Sequence, residues 1–172
     1  MSVTLRVATI DDLPSLAEIR DYYVIHSHIT FDIRPYSPEQ HLSWFHDHSD
    51  GKRYRTLLAC DSEARVLAYA ATGRFRSKEA YDTTVETSVA CRPEAVGRGL
   101  GKLLYSELFE AIANQDIHRI VAGMVPPNPA SKALHERFGF KTAGTFNQVG
   151  RKFDKYWDVL WMERPLKLES AR

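Results

Sequence analysis

The stretch from Thr83 to Ala113 constrains this chain more than any other. An apolar, β-rich run from Thr83 to Cys91 is followed by a loop, Arg92 to Arg98, and then by Leu100 to Ala113, where Leu103, Leu104, Leu108 and Ile112 recur at helical spacing. A strand that passes through a glycine loop into a helix leaves the first helical N–H groups without intrahelical partners, all aimed at one region. Gly97, Gly99 and Gly101 let the backbone approach an anion without Cβ interference, and Arg98 and Lys102 add positive charge at the rim. A pyrophosphate suits such a cradle, although a glycine turn that merely starts a helix would have the same residues. The run lies mid-chain after antiparallel strands and lacks a Gly-Lys-Ser/Thr ending, so it matches neither the dinucleotide fingerprint nor the P-loop.

The flanking segments define a mixed α/β order. Val3, Leu5 and Val7 alternate with polar residues as a strand. Asp11 or Asp12 then caps a helix with Pro14 in its first turn, running to about Ile25 with Leu13, Leu16, Ile19 and Tyr23 inward. Ser37-Pro38-Glu39-Gln40 is a capping box opening a second helix, with Leu42 and Phe45 expected inward. Tyr54 to Cys60 and Val66 to Thr72 read as a hairpin, and Arg74 to Glu79 as a loop. His118 to Val125 is a strand, Asn128 to Phe138 a short helix closed by Gly139, and Phe140 to Phe146 and Tyr156 to Glu163 are closing strands. No repeat or linker interrupts residues 1–166, which are expected to form one domain, with 167–172 as a tail.

Charge narrows the partners. The 23 Lys+Arg against 22 Asp+Glu leave a formal charge of +1, which offers no global field for nucleic acid or an anionic membrane. No run approaches the roughly 20 apolar residues of a membrane helix, and the N-terminus lacks the blocks of a signal peptide, so a cytoplasmic protein is expected. Cys60 and Cys91 sit in apolar runs and read as buried free thiols. The seven histidines show no helical zinc-site spacing, and no metal is expected.

The glycine run resembles the coenzyme A pyrophosphate loop of the GNAT superfamily of N-acetyltransferases, in which an Arg or Gln is followed by two residues, Gly, any residue, and Gly or Ala. Val96 stands at the Arg/Gln position here, so that side-chain contact does not carry over, whereas the loop amides do. Asn128-Pro129-Ala130-Ser131 and Leu134 to Phe140 are similar to the second half of the family. Ala80 to Val89, Leu134-His135-Glu136, Gly150 to Phe153 and Trp157-Asp158-Val159 resemble the phosphinothricin and methionine sulfoximine acetyltransferase branch, over nearly the whole chain.

This resemblance implies a GNAT-type fold, a central mostly antiparallel sheet flanked by about four helices. It also implies acetyl transfer from acetyl-CoA to the amine of a small amino-acid-like acceptor, by direct attack in a ternary complex, in a homodimer. Other amines, such as protein N-termini or polyamines, and a non-catalytic CoA sensor are the alternatives.

By the same resemblance, acetyl-CoA lies along Val89, Ala90, Cys91 and Gly97, Arg98, Gly99, Leu100, Gly101 and Lys102, with Asn128 and Ser131. A β-bulge near Thr87 or Ser88 would open that strand edge. Glu86 is the candidate base, because an ammonium must lose a proton before it attacks a thioester. By sequence alone Glu86 also fits a solvent-facing strand position. His135 is either an acid at the departing sulfur or a packing histidine. Phe31, Arg74, Phe75, Arg76, Ser77, Thr84 and Val85 are placed with the acceptor. Arginine suits bidentate carboxylate recognition, and two arginines on a surface loop also suit plain solvation.

Overall fold

A computed structural model describes residues 3–167; residues 1, 2 and 168–172, which include nearly all of the expected tail, lie outside the described residues. The chain forms β1 (Thr4–Val7), α1 (Leu13–His26), α2 (Pro38–Asp47), β2 (Thr56–Cys60), β3 (Val66–Arg74), β4 (Thr84–Cys91), α3 (Leu100–Ala111), β5 (Arg119–Met124), α4 (Pro129–Arg137), β6 (Lys141–Lys152) and β7 (Lys155–Pro165). The sheet order is β1-β2-β3-β4-β5-β7-β6. All neighbours are antiparallel except β4 and β5, which are parallel.

Helices cover both faces of β2 and β3, which explains why these strands read as unbroken apolar runs and are buried along almost their whole length. Residues alternate between two cores. Leu57, Ala59, Ala68, Ala70 and Val85 face α3, where Leu104, Tyr105, Leu108 and Ile112 close the core. Leu58, Cys60, Tyr69 and Ala71 face Leu16, Ile19 and Phe45 of α1 and α2. The alanines in the central strands let α3 lie close to the sheet.

Local chemistry sets the helix starts. Ser37 Oγ accepts from Gln40 N–H at 3.3 Å, and Ser37 N–H donates to Gln40 Oε1 at 2.9 Å, the capping box expected for α2. Gly99 starts α3 with φ +76°, a conformation L side chains rarely adopt.

Several expectations are corrected. His41 turns inward with Phe45, while Leu42 is exposed, because α2 presents the i, i+4 pair to the sheet. Leu103 is exposed on the outer side of α3. The closing strands extend to Lys152 and from Lys155, meeting at Phe153 and Asp154, which both have positive φ.

Candidate active site

The site is a parting of two strands. β4 and β5 pair only from Thr84↔Arg119 to Glu86↔Val121, while β3 and β4 stay in register as far as Ala68↔Cys91. Beyond Glu86 the β5-facing edge of β4 is free. The expected bulge at Thr87 or Ser88 is absent from the β3–β4 ladder; separation from β5 opens the edge instead. On that free edge lies a cavity of about 560 Å³ lined by Val89, Ala90 and Cys91, the loop from Val96 to Lys102 without Arg98, and Asn128, Ser131 and Leu134.

This groove fits the CoA thioester. An extended, amide-bearing arm can pair with the free β4 edge as an added strand. The α3 N-terminus supplies amides for a pyrophosphate. Gly97 and Gly99 hold φ of +82° and +76°, with nothing within 4 Å of where a Cβ would stand, so the loop's surface is bare backbone. Asn128 caps α4 by accepting from Ser131 N–H at 3.2 Å, which turns this helix start toward the same groove. Cys91 is half-buried rather than buried. Burial pushes its thiol pKa up, so it is not a thiolate nucleophile at neutral pH.

A second cavity of about 380 Å³ adjoins the first and shares Tyr23, Ile29, Val89, Ala90, Asn128 and Ser131 with it. Glu86 lies on its wall. The pleat explains why: Glu86, Ser88 and Ala90 pair with Gly73, Ala71 and Tyr69, and this series faces α1 and α2, while Val85 faces α3. Burial raises the Glu86 carboxyl pKa, an effect the Arg76 cation partly opposes. His48 reaches the same cavity from the end of α2, its Nδ1–H donating to Trp44 O at 2.7 Å and its ring stacked on Trp44.

His135 is buried between two partners. A carbonyl only accepts, so the 2.7 Å contact between Nδ1 and Ser131 O puts the ring proton on Nδ1. Nε2 then accepts from the Tyr105 hydroxyl at 3.0 Å. Burial lowers the imidazole pKa, so the ring is neutral at neutral pH and its one proton is engaged with backbone. The geometry is that of an ordering histidine, not of a poised acid.

The structure spreads the expected acceptor residues. Arg74 ends β3 rather than opening a loop; it lines the cavity and pairs with Asp82 at 2.8 Å. Phe75 packs edge-on against Tyr81 and Trp161, and Arg76 lies over Phe75. Val85 is fully buried under α3, so its side chain is core rather than acceptor contact. Thr84 shares the face of Glu86 but does not line the cavity, and neither does Ser77. Phe31 packs on the backbone of Gly150, linking its loop to β6. Lys152, within the run that resembles the branch, is buried and donates to Thr30 O at 2.9 Å, tying the same loop down.

Sequence reasoning missed the far wall of this cavity: Arg20, Asp32, Trp44, His48 and Tyr69. Each belongs to an element distant from Glu86 in the chain. The available signal was an arginine on the otherwise inward side of α1, one residue after Ile19. Among the described residues no group of three or more His, Cys, Asp or Glu is arranged to hold a metal, and no helix is long and apolar enough to cross a membrane.

Comparison with known proteins accords with this geometry. The acetyltransferase (GNAT) domain model matches residues 5–161. The chain is 47% identical over 165 residues to a phosphinothricin N-acetyltransferase of Streptomyces coelicolor, covering 95% of this chain and 96% of that one. It is 35% identical over 172 residues to an L-methionine sulfoximine/L-methionine sulfone acetyltransferase of Pseudomonas aeruginosa, covering 100% and 98%. A GNAT superfamily phosphinothricin acetyltransferase from Sinorhizobium meliloti, solved in complex with acetyl-CoA, has a TM-score of 0.89 at 33% identity, covering 96% of this chain and 89% of that one.

Proposed function

The chain belongs to the GNAT acetyltransferase family and is an acetyl-CoA-dependent N-acetyltransferase, and we propose that its acceptor is the α-amine of a small amino acid of the phosphinothricin or methionine sulfoximine type, with Glu86 taking the proton. The observation that carries this reading is the place of Glu86. It is the last β4 residue paired to β5, and it faces a small cavity continuous with the groove that fits acetyl-CoA.

When bound, acetyl-CoA supplies an acetyl thioester for the amine to attack. The chain's own contribution begins with orientation: the free edge of β4 and the glycine loop fix one reactant, and the cavity walls fix the other. Glu86, ionised but desolvated, accepts a proton from the incoming ammonium, directly or through water. A backbone N–H on the β4 edge polarises the thioester carbonyl. His135 orders the Ser131 turn and holds the Tyr105 hydroxyl. Arg76, whose cation acts on Glu86, and Arg74, which shares its guanidinium with Asp82, add positive charge suited to the acceptor carboxylate.

We also infer a homodimer. β6 is an edge strand of 12 residues, nearly all exposed, and Phe146, Val149, Phe153 and Tyr156 on its hairpin are each more than half exposed. A long edge strand with exposed aromatic and aliphatic side chains on its hairpin suits a partner. A cytoplasmic setting, where acetyl-CoA is available, suits the reaction.

The test is thiol release from acetyl-CoA with phosphinothricin, methionine sulfoximine, ordinary amino acids, polyamines and short peptides as acceptors. Turnover is expected with the first two. Release only with polyamines or peptides would overturn the acceptor class, and no release with any amine would overturn catalysis.

A further inference from the structure

The wall of the acceptor cavity contributed by α1 and the loop after it carries an arginine that the reaction above leaves unused. The Arg20 guanidinium stands 4.7 Å from the centroid of Tyr36 and 4.4 Å from that of Trp44, and its side chain is only 13% exposed. Such ring contacts use the faces of the guanidinium and leave its N–H donors in the plane. Some of these reach the hydroxyls of Tyr36 and Tyr69, which are neutral partners.

The carboxylate beside it stands off. Asp32 Oδ2 lies 3.7 Å from Arg20, longer than a hydrogen bond, and Asp32 is held instead by the Tyr36 hydroxyl at 3.2 Å and Thr30 Oγ1 at 3.3 Å. The same chain shows a committed pair for contrast: Arg6 binds Asp12 through two contacts of 2.7 and 2.6 Å. Arg20 is thus rigidly mounted, close to buried and incompletely matched, and it lines one cavity with Glu86. The other arginine on that lining, Arg74, is paired to Asp82.

We propose that Arg20 is a specificity-determining residue, binding an anionic oxygen on the acceptor's side chain, and that Asp32 weakens this preference by its own charge. This rests on the amino-acid acceptor proposed above. An acceptor held by its amine at Glu86 then presents its side-chain oxygen to a planar donor, and a neutral side chain gains less from the same arginine.

Steady-state kinetics with phosphinothricin, whose side chain is anionic, and methionine sulfone, whose side chain is neutral, test this in the full-length protein. Arg20→Gln is expected to raise KM for phosphinothricin by roughly 10- to 100-fold and to change that for methionine sulfone by less than about 3-fold. Asp32→Asn is expected to lower the phosphinothricin KM by about 3-fold and to leave methionine sulfone unmoved. Acetyl-CoA binding by calorimetry reports whether each variant is folded. Parallel losses for both acceptors, or no change for either, would overturn the assignment of Arg20. If Arg20→Gln does not fold, Asp32→Asn decides: a gain confined to phosphinothricin supports the proposal and no gain overturns it. A parent enzyme that acetylates neither compound overturns the acceptor reading and this inference with it; one that acetylates both, with variants indifferent to side-chain charge, overturns this inference alone.

Discussion

Glu86 on β4 stands directly across from Gly73 on β3, and the imidazole of His48 occupies the space that a side chain at position 73 would fill. Residues opposed in this way point to the same face of a sheet, so the imidazole and the carboxyl are neighbours on the floor of one cavity. His48 has its proton on Nδ1, held by Trp44 O, and burial lowers its pKa, so Nε2 meets that floor as a neutral acceptor. The glycine here is required by a close approach, not by its backbone angle.

Gly73→Ala tests that packing. The added methyl cannot coexist with the His48 ring where it stands, and the ring is also held by its bond to Trp44 and by stacking. The expected cost is about 1–3 kcal/mol of stability, seen as a lower melting temperature. The acceptor KM should rise while CoA affinity, measured by calorimetry, stays at the parent value. An unchanged melt and KM would mean that His48 moves aside freely.

With Glu86 as the proposed base, its carboxyl is expected to set the acid side of the pH dependence. Its base form is the one required, and burial raises its pKa, so kcat/KM should fall as pH drops through a value above the ordinary carboxylate range. Arg76→Ala removes the opposing cation and should move this limb to higher pH. Glu86→Gln should abolish the limb and lower kcat by about 10²- to 10⁴-fold. A pH-rate profile with the same acidic limb in Glu86→Gln would assign the proton to another group.

The groove along β4 and the glycine loop was legible in the sequence because its parts are local. Strand, glycine loop and helix follow one another from Thr84 to Lys102, and Asn128 announces α4 by capping it. The acceptor side was not. Val85 and Glu86 are adjacent, yet pleating sends one beneath α3 and the other into the cavity, and only the position of the helices decides which is which. His41 and Leu42 show the same limit. Polarity favours burying Leu42, but α2 is rotated by Phe45, and its i−4 neighbour is His41. Arg20, Asp32, Trp44 and His48 form one wall only after α1, α2 and their connecting loop have folded over β3.

The glycine loop should bear a side chain only at the expense of binding. Gly99 holds φ +76° at the start of α3, and the space around its missing Cβ is open, so Gly99→Val does not clash with the protein. A β-branched residue at this backbone angle is strained, by roughly 1–3 kcal/mol, and it covers the bare backbone at the groove. Calorimetry should show CoA affinity lowered by about 10-fold or more, with far-ultraviolet circular dichroism unchanged. Equal affinity in variant and parent would remove the loop from the site.

His135 separates an ordering role from an acid role. Its Nδ1 proton is held by the Ser131 carbonyl, and its Nε2 accepts from Tyr105, whose side chain is fully buried. His135→Phe removes that acceptor and leaves Thr87 as the remaining side-chain partner of the buried Tyr105 hydroxyl, a loss of about 0.5–1.5 kcal/mol that a thermal melt reads directly. The double variant His135→Phe with Tyr105→Phe removes both polar partners and should recover part of that loss, because the hydroxyl that lost its acceptor is then gone. In turnover, the imidazole is neutral across the neutral and alkaline range, since burial lowers its pKa. His135→Phe should therefore lower kcat without moving either limb of the pH-rate profile. Disappearance of an alkaline limb in this variant would restore His135 as the acid.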